Sequence, residues 1–218
     1  MTEPQPSVVV IDDDPDIREA LGGLLQSVGL QVRALDSVEE FLKSGRPKGP
    51  TCLVLDVRLR GRSGLDFQRE LSAAKIDVPI IFITAHGDVP MSVQAMKGGA
   101  LEFLTKPIRD QDLLDAIQLG LKRDCARRES ERALAALRER FETLTPRERQ
   151  VMTEVLKGRL NKQIAGDIGI SEVTVKFHRG QVMRKMKASS LLDLARMAEK
   201  LKLAPETLQA SDTNPRRG

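Results

Sequence analysis

Four apolar runs in this chain each end in a side chain that can do chemistry. Ser7-Val-Val-Val-Ile11 leads into Asp12-Asp13-Asp14, Thr51-Cys-Leu-Val-Leu55 into Asp56, Pro79-Ile-Ile-Phe-Ile83 into Thr84, and Leu101-Glu-Phe-Leu-Thr105 into Lys106. A lone strand-end Asp often does no more than cap the next helix, and Asp14, with Pro15 behind it, is placed for that work. Capping does not explain Asp12 and Asp13, because adjacent like charges repel unless a cation joins them. Oxygen ligands of this kind suit Mg²⁺, which prefers six-coordinate oxygen and keeps several waters. A carboxylate beside that ion can attack phosphorus and form an aspartyl-phosphate. The metal, the Lys106 ammonium and the Thr84 hydroxyl would then hold the phosphoryl oxygens, since phosphoryl transfer is mostly positioning and charge stabilisation.

The elements between these residues are those that would bring them together. Ile17, Leu21, Leu24, Leu25 and Val28 recur at helical spacing and stop at Gly29. Gln31 to Leu35 reads as a strand at the side of a sheet, and Ser37 caps a helix carrying Val38, Phe41 and Leu42. Leu65, Phe67 and Leu71 mark a third helix, a fourth runs from Pro90 to Gly98-Gly99, and a fifth begins near Asp110. Repeated strand–helix units predict a parallel sheet with helices on both faces. The expected fold of this half is α/β, flavodoxin-like, with five strands in the order 2-1-3-4-5. In that order strands 1 and 3 flank the switch point, so Asp12, Asp13 and Asp56 meet at the carboxyl edge of the sheet.

Asp12-Asp13, Asp56, Thr84 and Lys106-Pro107 together resemble the receiver domain of two-component response regulators. The stretch from Gly87 to Lys97 after Thr84 resembles the nitrogen-fixation regulator FixJ and its StyR-like relatives. The resemblance implies that Asp56 is the phosphoacceptor, that Asp12 and Asp13 organise Mg²⁺ with the Arg58 backbone carbonyl as a further ligand, and that Thr84 and Phe103 form a switch pair. It also implies a sensor histidine kinase as phosphoryl donor and a homodimer on phosphorylation. One departure stands beside the site: receivers usually read Met-Pro where this chain reads Leu59-Arg60. Losing the proline is expected to loosen that loop, because proline fixes φ, and Arg60 and Arg62 add charge near the site.

At 218 residues, 40% hydrophobic and 30% charged, the chain is long enough for two small domains of ordinary soluble composition. No apolar run reaches the roughly 18 residues of a membrane helix, and no secretory signal is evident, so a cytoplasmic protein with no membrane partner is expected. Cys52 and Cys125 fit neither metal-ligand nor disulfide spacing. Cys52 reads as a buried strand residue; Cys125 is either a spectator thiol or, with arginines nearby, one end of an intermolecular bridge. Charge divides the chain sharply. Residues 1–120 hold 13 Lys and Arg against 18 Asp and Glu, whereas residues 145–203 hold 13 against 6. The basic half is the candidate for a polyanion. Between the halves, residues 122–142 read as a linker helix with Leu134, Leu137 and Phe141 at three-four spacing, either solvated or the seam of a short coiled coil.

In the basic half Thr145-Pro146-Arg147-Glu148 is a helix start with a capping box. Asn161 to Ile168 is a short helix, Gly169-Ile170 a tight turn, and Ser171 the cap of the next helix, which together read as a helix-turn-helix. The segments Leu144–Val151, Asn161–Ala165 and Ile170–His178 resemble the LuxR-type DNA-binding domain. The expected organisation is a receiver over 6–121, the linker helix, an all-α DNA-binding domain over 143–203 and a disordered tail over 204–218. At about 100° per residue, Val175, Val182 and Met186 point to the core. Val173, Phe177, Gly180 and Arg184 lie opposite, with Lys176 and Gln181 on the flanks, and that face is expected in the major groove. Lys176 is assigned to a base acceptor and Val173 or Phe177 to a thymine methyl. Asn161, Lys162, Thr174, Arg179 and Lys185 are assigned to phosphates. His178, about 60° off the core direction, is a half-buried structural residue or a phosphate contact.

The leading expectation is a phosphorylation-controlled regulator of transcription, not an enzyme, acting on promoter DNA with RNA polymerase as a further partner. A rival class is an Mg²⁺-dependent aspartyl-phosphatase of the haloacid dehalogenase type. Those enzymes want a second carboxylate two residues after the nucleophile, where this chain has Arg58. A third is a degenerate receiver acting as a constitutive dimer module, against which the complete set of Asp13, Asp56, Thr84 and Lys106 argues.

Overall fold

The computed structural model describes residues 5–203; the tail over 204–218 lies outside them. Parallel strands β1 (Ser7–Ile11), β2 (Gln31–Leu35), β3 (Thr51–Asp56), β6 (Ile80–Thr84) and β7 (Glu102–Thr105) form one sheet in the order β2-β1-β3-β6-β7. This is the expected 2-1-3-4-5 order once a small hairpin, β4 (Arg58–Leu59) and β5 (Arg62–Ser63), is counted in the numbering. Helices α1 (Pro15–Ser27), α2 (Val38–Ser44), α3 (Gly64–Ala73), α4 (Val89–Lys97) and α5 (Asp110–Glu142) connect and follow the strands.

Strand alternation divides the core into two layers. Val9, Ile11, Leu53, Leu55 and Phe82 face Phe41, Phe67, Leu71 and Ala95 of α2, α3 and α4. Val8, Val10, Val54, Ile81 and Ile83 face Leu21 and Leu25 of α1 and Leu113 and Ile117 of α5. β3 is buried at every position, which is why its sequence is continuously apolar rather than alternating. Each such fully buried aliphatic or aromatic side chain contributes about 1.5–3 kcal/mol.

The loop after β3 closes as an antiparallel ladder, Arg58 opposite Ser63 and Leu59 opposite Arg62. Gly61, at φ 77°, supplies the left-handed turn residue. Gly64 then returns so close to the strand that a Cβ there would stand 2.4 Å from the Asp56 carbonyl oxygen.

The C-terminal unit holds α6 (Pro146–Leu156), α7 (Asn161–Ile168), α8 (Glu172–Met186) and α9 (Leu191–Lys200). Thr145 and Glu148 form the predicted reciprocal cap of α6, at 3.2 and 2.8 Å. Gly169, left-handed at φ 69°, ends α7 and turns the chain into α8. The two compact units meet between Glu129 and Ser130, inside α5, which continues unbroken past residue 121. Its apolar stripe is not left free for a coiled coil. Leu137 is buried with Leu144, Met152, Val182, Met186 and Leu194, and Phe141 packs on the same cluster. In the charged segment Lys122 and Arg123 are exposed, but Asp124 is fully buried.

Candidate functional site

Register places the acidic residues. Ile11 pairs with Leu55 and Asp56 with Ile83, so the residues after β1 emerge beside the end of β3 at one edge of the sheet. On the other side Thr84 pairs with Thr105, and the Lys106 N–H extends the ladder by donating to the Thr84 carbonyl at 2.8 Å. The Lys106 ammonium then lies between two carboxylates, 2.7 Å from Asp12 Oδ2 and 2.8 Å from Asp56 Oδ2. Oxygens of Asp12, Asp13 and Asp56 all fall within 4.8 Å of one another. Asp12 is fully buried, and its backbone is braced by the Arg18 guanidinium donating to its carbonyl at 2.7 Å. The Arg58 N–H donates to Asp56 Oδ1 at 2.9 Å and fixes the rotamer of that carboxylate.

The electrostatics fit a divalent cation. Burial pushes the Asp12 carboxyl up; Lys106 and the Asp14 N–H pull it down without cancelling the rise, and the charge of Asp56 adds to it. Burial works to lower the Lys106 ammonium, but its bonds to Asp12 and Asp56 more than offset this and hold it above the usual lysine value. Three carboxylates against the Lys106 ammonium and the exposed Arg60 guanidinium still leave the site short of positive charge, and a hard dication with oxygen ligands matches both the donor set and the deficit.

Thr84 is buried, and its Oγ1 accepts from the His86 N–H at 3.3 Å. Phe103 is half-buried, its ring 6.4 Å from that of Phe82. Gly87 sits over this pair: a Cβ there would come within 2.9 Å of Phe103, 3.0 Å of Thr105 and 3.2 Å of Thr84. Its place against the Thr84–Phe103 pair is not visible in sequence, because nothing in the local pattern tells which side chains a loop glycine will meet. Arg60, which the sequence places only as added charge near the site, has its Nε 3.1 Å from Asp13 Oδ2.

In the C-terminal unit the helical arithmetic holds. Val175, Val182 and Met186 are buried, whereas Val173 and Phe177 are 79% and 61% exposed. Lys176, Gly180 and Arg184 are exposed on the same side, and Gln181, half-buried, accepts from Arg184. Lys162 is exposed. Asn161 accepts from Arg179 at 3.2 Å, which joins the start of α7 to the middle of α8. The Thr174 hydroxyl lies 2.8 Å from that of Ser171. His178 is half-buried with its Nδ1 enclosed, as its offset from the core direction predicts. Lys185 is a correction. Its ammonium is not free for a phosphate but bonds Glu148 Oε2 at 2.6 Å and the Thr143 carbonyl at 3.1 Å, tying α8 to the start of α6. Cys125 is half-buried with its thiol 3.8 Å from Glu129 Oε1, while burial and the charge of Asp124 push the Cys52 thiol up to about 12.

Comparison with known proteins agrees with both halves. The family model for the response regulator receiver domain matches residues 8–118, and that for bacterial regulatory proteins of the luxR family matches residues 142–198. Nodulation protein W of Bradyrhizobium diazoefficiens is 55% identical over 194 residues, covering 89% of this chain and 86% of that one. The transcriptional regulatory protein FixJ of Azorhizobium caulinodans is 44% identical over 208 residues, covering 95% and 97%. The solved structure of the response regulator StyR superposes with a TM-score of 0.83 at 48% identity, covering 90% of this chain and 99% of that one.

Proposed function

The chain belongs to the response regulators, joining a receiver domain to a LuxR-family DNA-binding domain in a transcriptional regulator, and from that premise we propose that phosphoryl transfer to Asp56 switches it. The observation that carries this reading is the Lys106 ammonium held between Asp12 and Asp56 with Asp13 alongside. Asp12, Asp13, Asp56 and the Arg58 carbonyl would hold Mg²⁺, which when bound neutralises charge on the phosphoryl oxygens.

The donor is a phosphohistidine of a sensor kinase. An Asp56 carboxylate oxygen attacks phosphorus, the phosphorus–nitrogen bond breaks, and the departing imidazole leaves with its electron pair and takes up a proton from water. Lys106 holds the carboxylate in place, then meets the arriving phosphoryl oxygens; Thr84 turns its hydroxyl towards them. Phe103 moves into the space that Thr84 vacates, which reshapes the face of α4, β7 and α5 and favours a homodimer. A modification shifts such an equilibrium only by its differential interaction with the two states.

The dimer presents two copies of α8 to paired half-sites in promoter DNA about one helical turn apart. Lys176, Val173 and Phe177 face base edges, with Gln181 and Arg184 at their side. Asn161, Lys162, Thr174 and Arg179 contact phosphates, and RNA polymerase is the downstream partner. The test combines intact-mass analysis and gel shift with acetyl phosphate and Mg²⁺. One base-labile phosphoryl group and tighter specific binding are expected for the wild type, and neither for Asp56→Asn. Undiminished labelling of that variant would sink the assignment.

A further inference from the structure

We propose that Arg60 gates the divalent-cation site: its guanidinium holds the Asp13 carboxylate while no metal is bound and must be displaced before Asp13 can ligate. The inference rests on the reading of Asp12, Asp13 and Asp56 as the metal site and adds a residue of this chain that competes for it. Lys106 engages Asp12 and Asp56, whereas Asp13 has Arg60, with Nε 3.1 Å from Oδ2.

The placement is built by the fold. Arg60 and Gly61 form the two-residue turn of the β4–β5 hairpin, which Gly61 reverses at φ 77°. One side of the hairpin is moored away from the site. Arg62 pairs with Glu39 of α2 and Glu70 of α3, and its guanidinium carbon lies 5.9 Å from the Phe67 ring centre. On the other side the Arg58 N–H is bonded to Asp56, and the Gly64 N–H closes the loop on the Val57 carbonyl at 2.9 Å. With both ends fixed, the turn delivers Arg60 to the mouth of the acidic cluster, where its side chain is 85% exposed and that of Asp13 26%.

A guanidinium hydrogen-bonded to Asp13 occupies an oxygen the metal would use, and its charge opposes an arriving dication. The contact is an exposed pair of opposite charges, so the gate answers to metal concentration and ionic strength. Because the pair is exposed, its effect on metal affinity should be about two- to fivefold.

The test uses the full chain, with Mn²⁺ as the probe and free Mn²⁺ followed by electron paramagnetic resonance. Arg60→Gln should bind Mn²⁺ about two- to fivefold more tightly than wild type, and the gain should shrink as salt rises. Acetyl-phosphate labelling of Asp56 should reach half-maximal rate at correspondingly lower Mg²⁺, with the rate at saturating Mg²⁺ unchanged. Equal or weaker Mn²⁺ binding by Arg60→Gln overturns the gate. Asp13→Ala separates the two readings. If it weakens Mn²⁺ binding while Arg60→Gln changes nothing, the gate alone is wrong; if it binds like wild type, the metal assignment falls and the gate with it.

Discussion

Replacing Asp124 by Ala should loosen the N-terminal unit far more than its place in a charged helix suggests. Its carboxylate is fully buried and receives the guanidinium groups of Arg127 and Arg128 at 2.8 Å, that of Arg46, and the Thr51 N–H at 2.8 Å. Arg128 also donates to the carbonyls of Lys48 and Pro47, and Arg46 to that of Asp77, so the cluster pins α5 to the start of β3 and the loops beside it. Removing one partner of a buried ion pair costs about 3–5 kcal/mol. The lower end, about 3 kcal/mol, applies because the three guanidinium groups are 16–20% exposed and can turn to water once the carboxylate is gone. The chain has no Trp or Tyr, so the assay is urea unfolding by circular dichroism with hydrogen exchange of the peptides around residues 46–56 and 118–129. Burial pushes the Asp124 carboxyl up, but Arg127, the Thr51 N–H, Arg128 and Arg46 outweigh it and hold it below the usual carboxylate range. A depressed folded value means that the carboxylate stabilises the fold above its unfolded pKa of about 3.9 and loses that contribution as pH falls through the folded value. The gap between wild type and Asp124→Asn should therefore narrow as pH falls below that point. A change under about 0.5 kcal/mol for Asp124→Ala at neutral pH, the scale of an ordinary surface substitution, would refute the reasoning.

Lys162→Ala should weaken binding to all DNA sequences and flatten the salt slope by about one unit. Lys185→Ala should instead lower stability by about 1–3 kcal/mol through the loss of its bond to Glu148 and leave the slope unchanged; a flattened slope would return Lys185 to the phosphate contacts. Lys176→Ala should cost about 1–3 kcal/mol on the preferred site and little on scrambled duplexes, and equal losses on both would make it a phosphate contact. Gly87→Ala should force Phe103 and Thr105 apart, destabilise the N-terminal unit by about 1–3 kcal/mol, and blunt phosphodonor-induced dimerisation in sedimentation; a variant with wild-type melting and dimerisation would show that this packing does not matter.

The sequence by itself determined a parallel sheet with chemistry-bearing residues at the carboxyl ends of its strands, while the order of those strands came from the resemblance to receiver domains. Continuous apolar runs marked the strands that end in Asp12, Asp56, Thr84 and Lys106, and helical periodicity alone separated Val175, Val182 and Met186 from the outward face of α8. Both are local periodic signals, set by how successive side chains alternate along a strand or rotate around a helix. What only the tertiary structure decided are contacts between residues far apart in the chain. Charged residues look alike in sequence whether water or another chain segment receives them. Lys185 reads as DNA-facing because its partner Glu148 lies 37 positions away, and Asp124 gains, beyond its helix neighbours Arg127 and Arg128, a third guanidinium from Arg46, 78 positions away. Arg60 meets Asp13 because a hairpin turn aims it there across 47 positions. The apolar stripe of the linker segment reads as solvated or as a coiled-coil seam, whereas in the fold Leu137 packs in one cluster with Met152, Val182 and Met186. Burial of a charge is decided by the geometry of its partners, and that geometry exists only once the chain has folded.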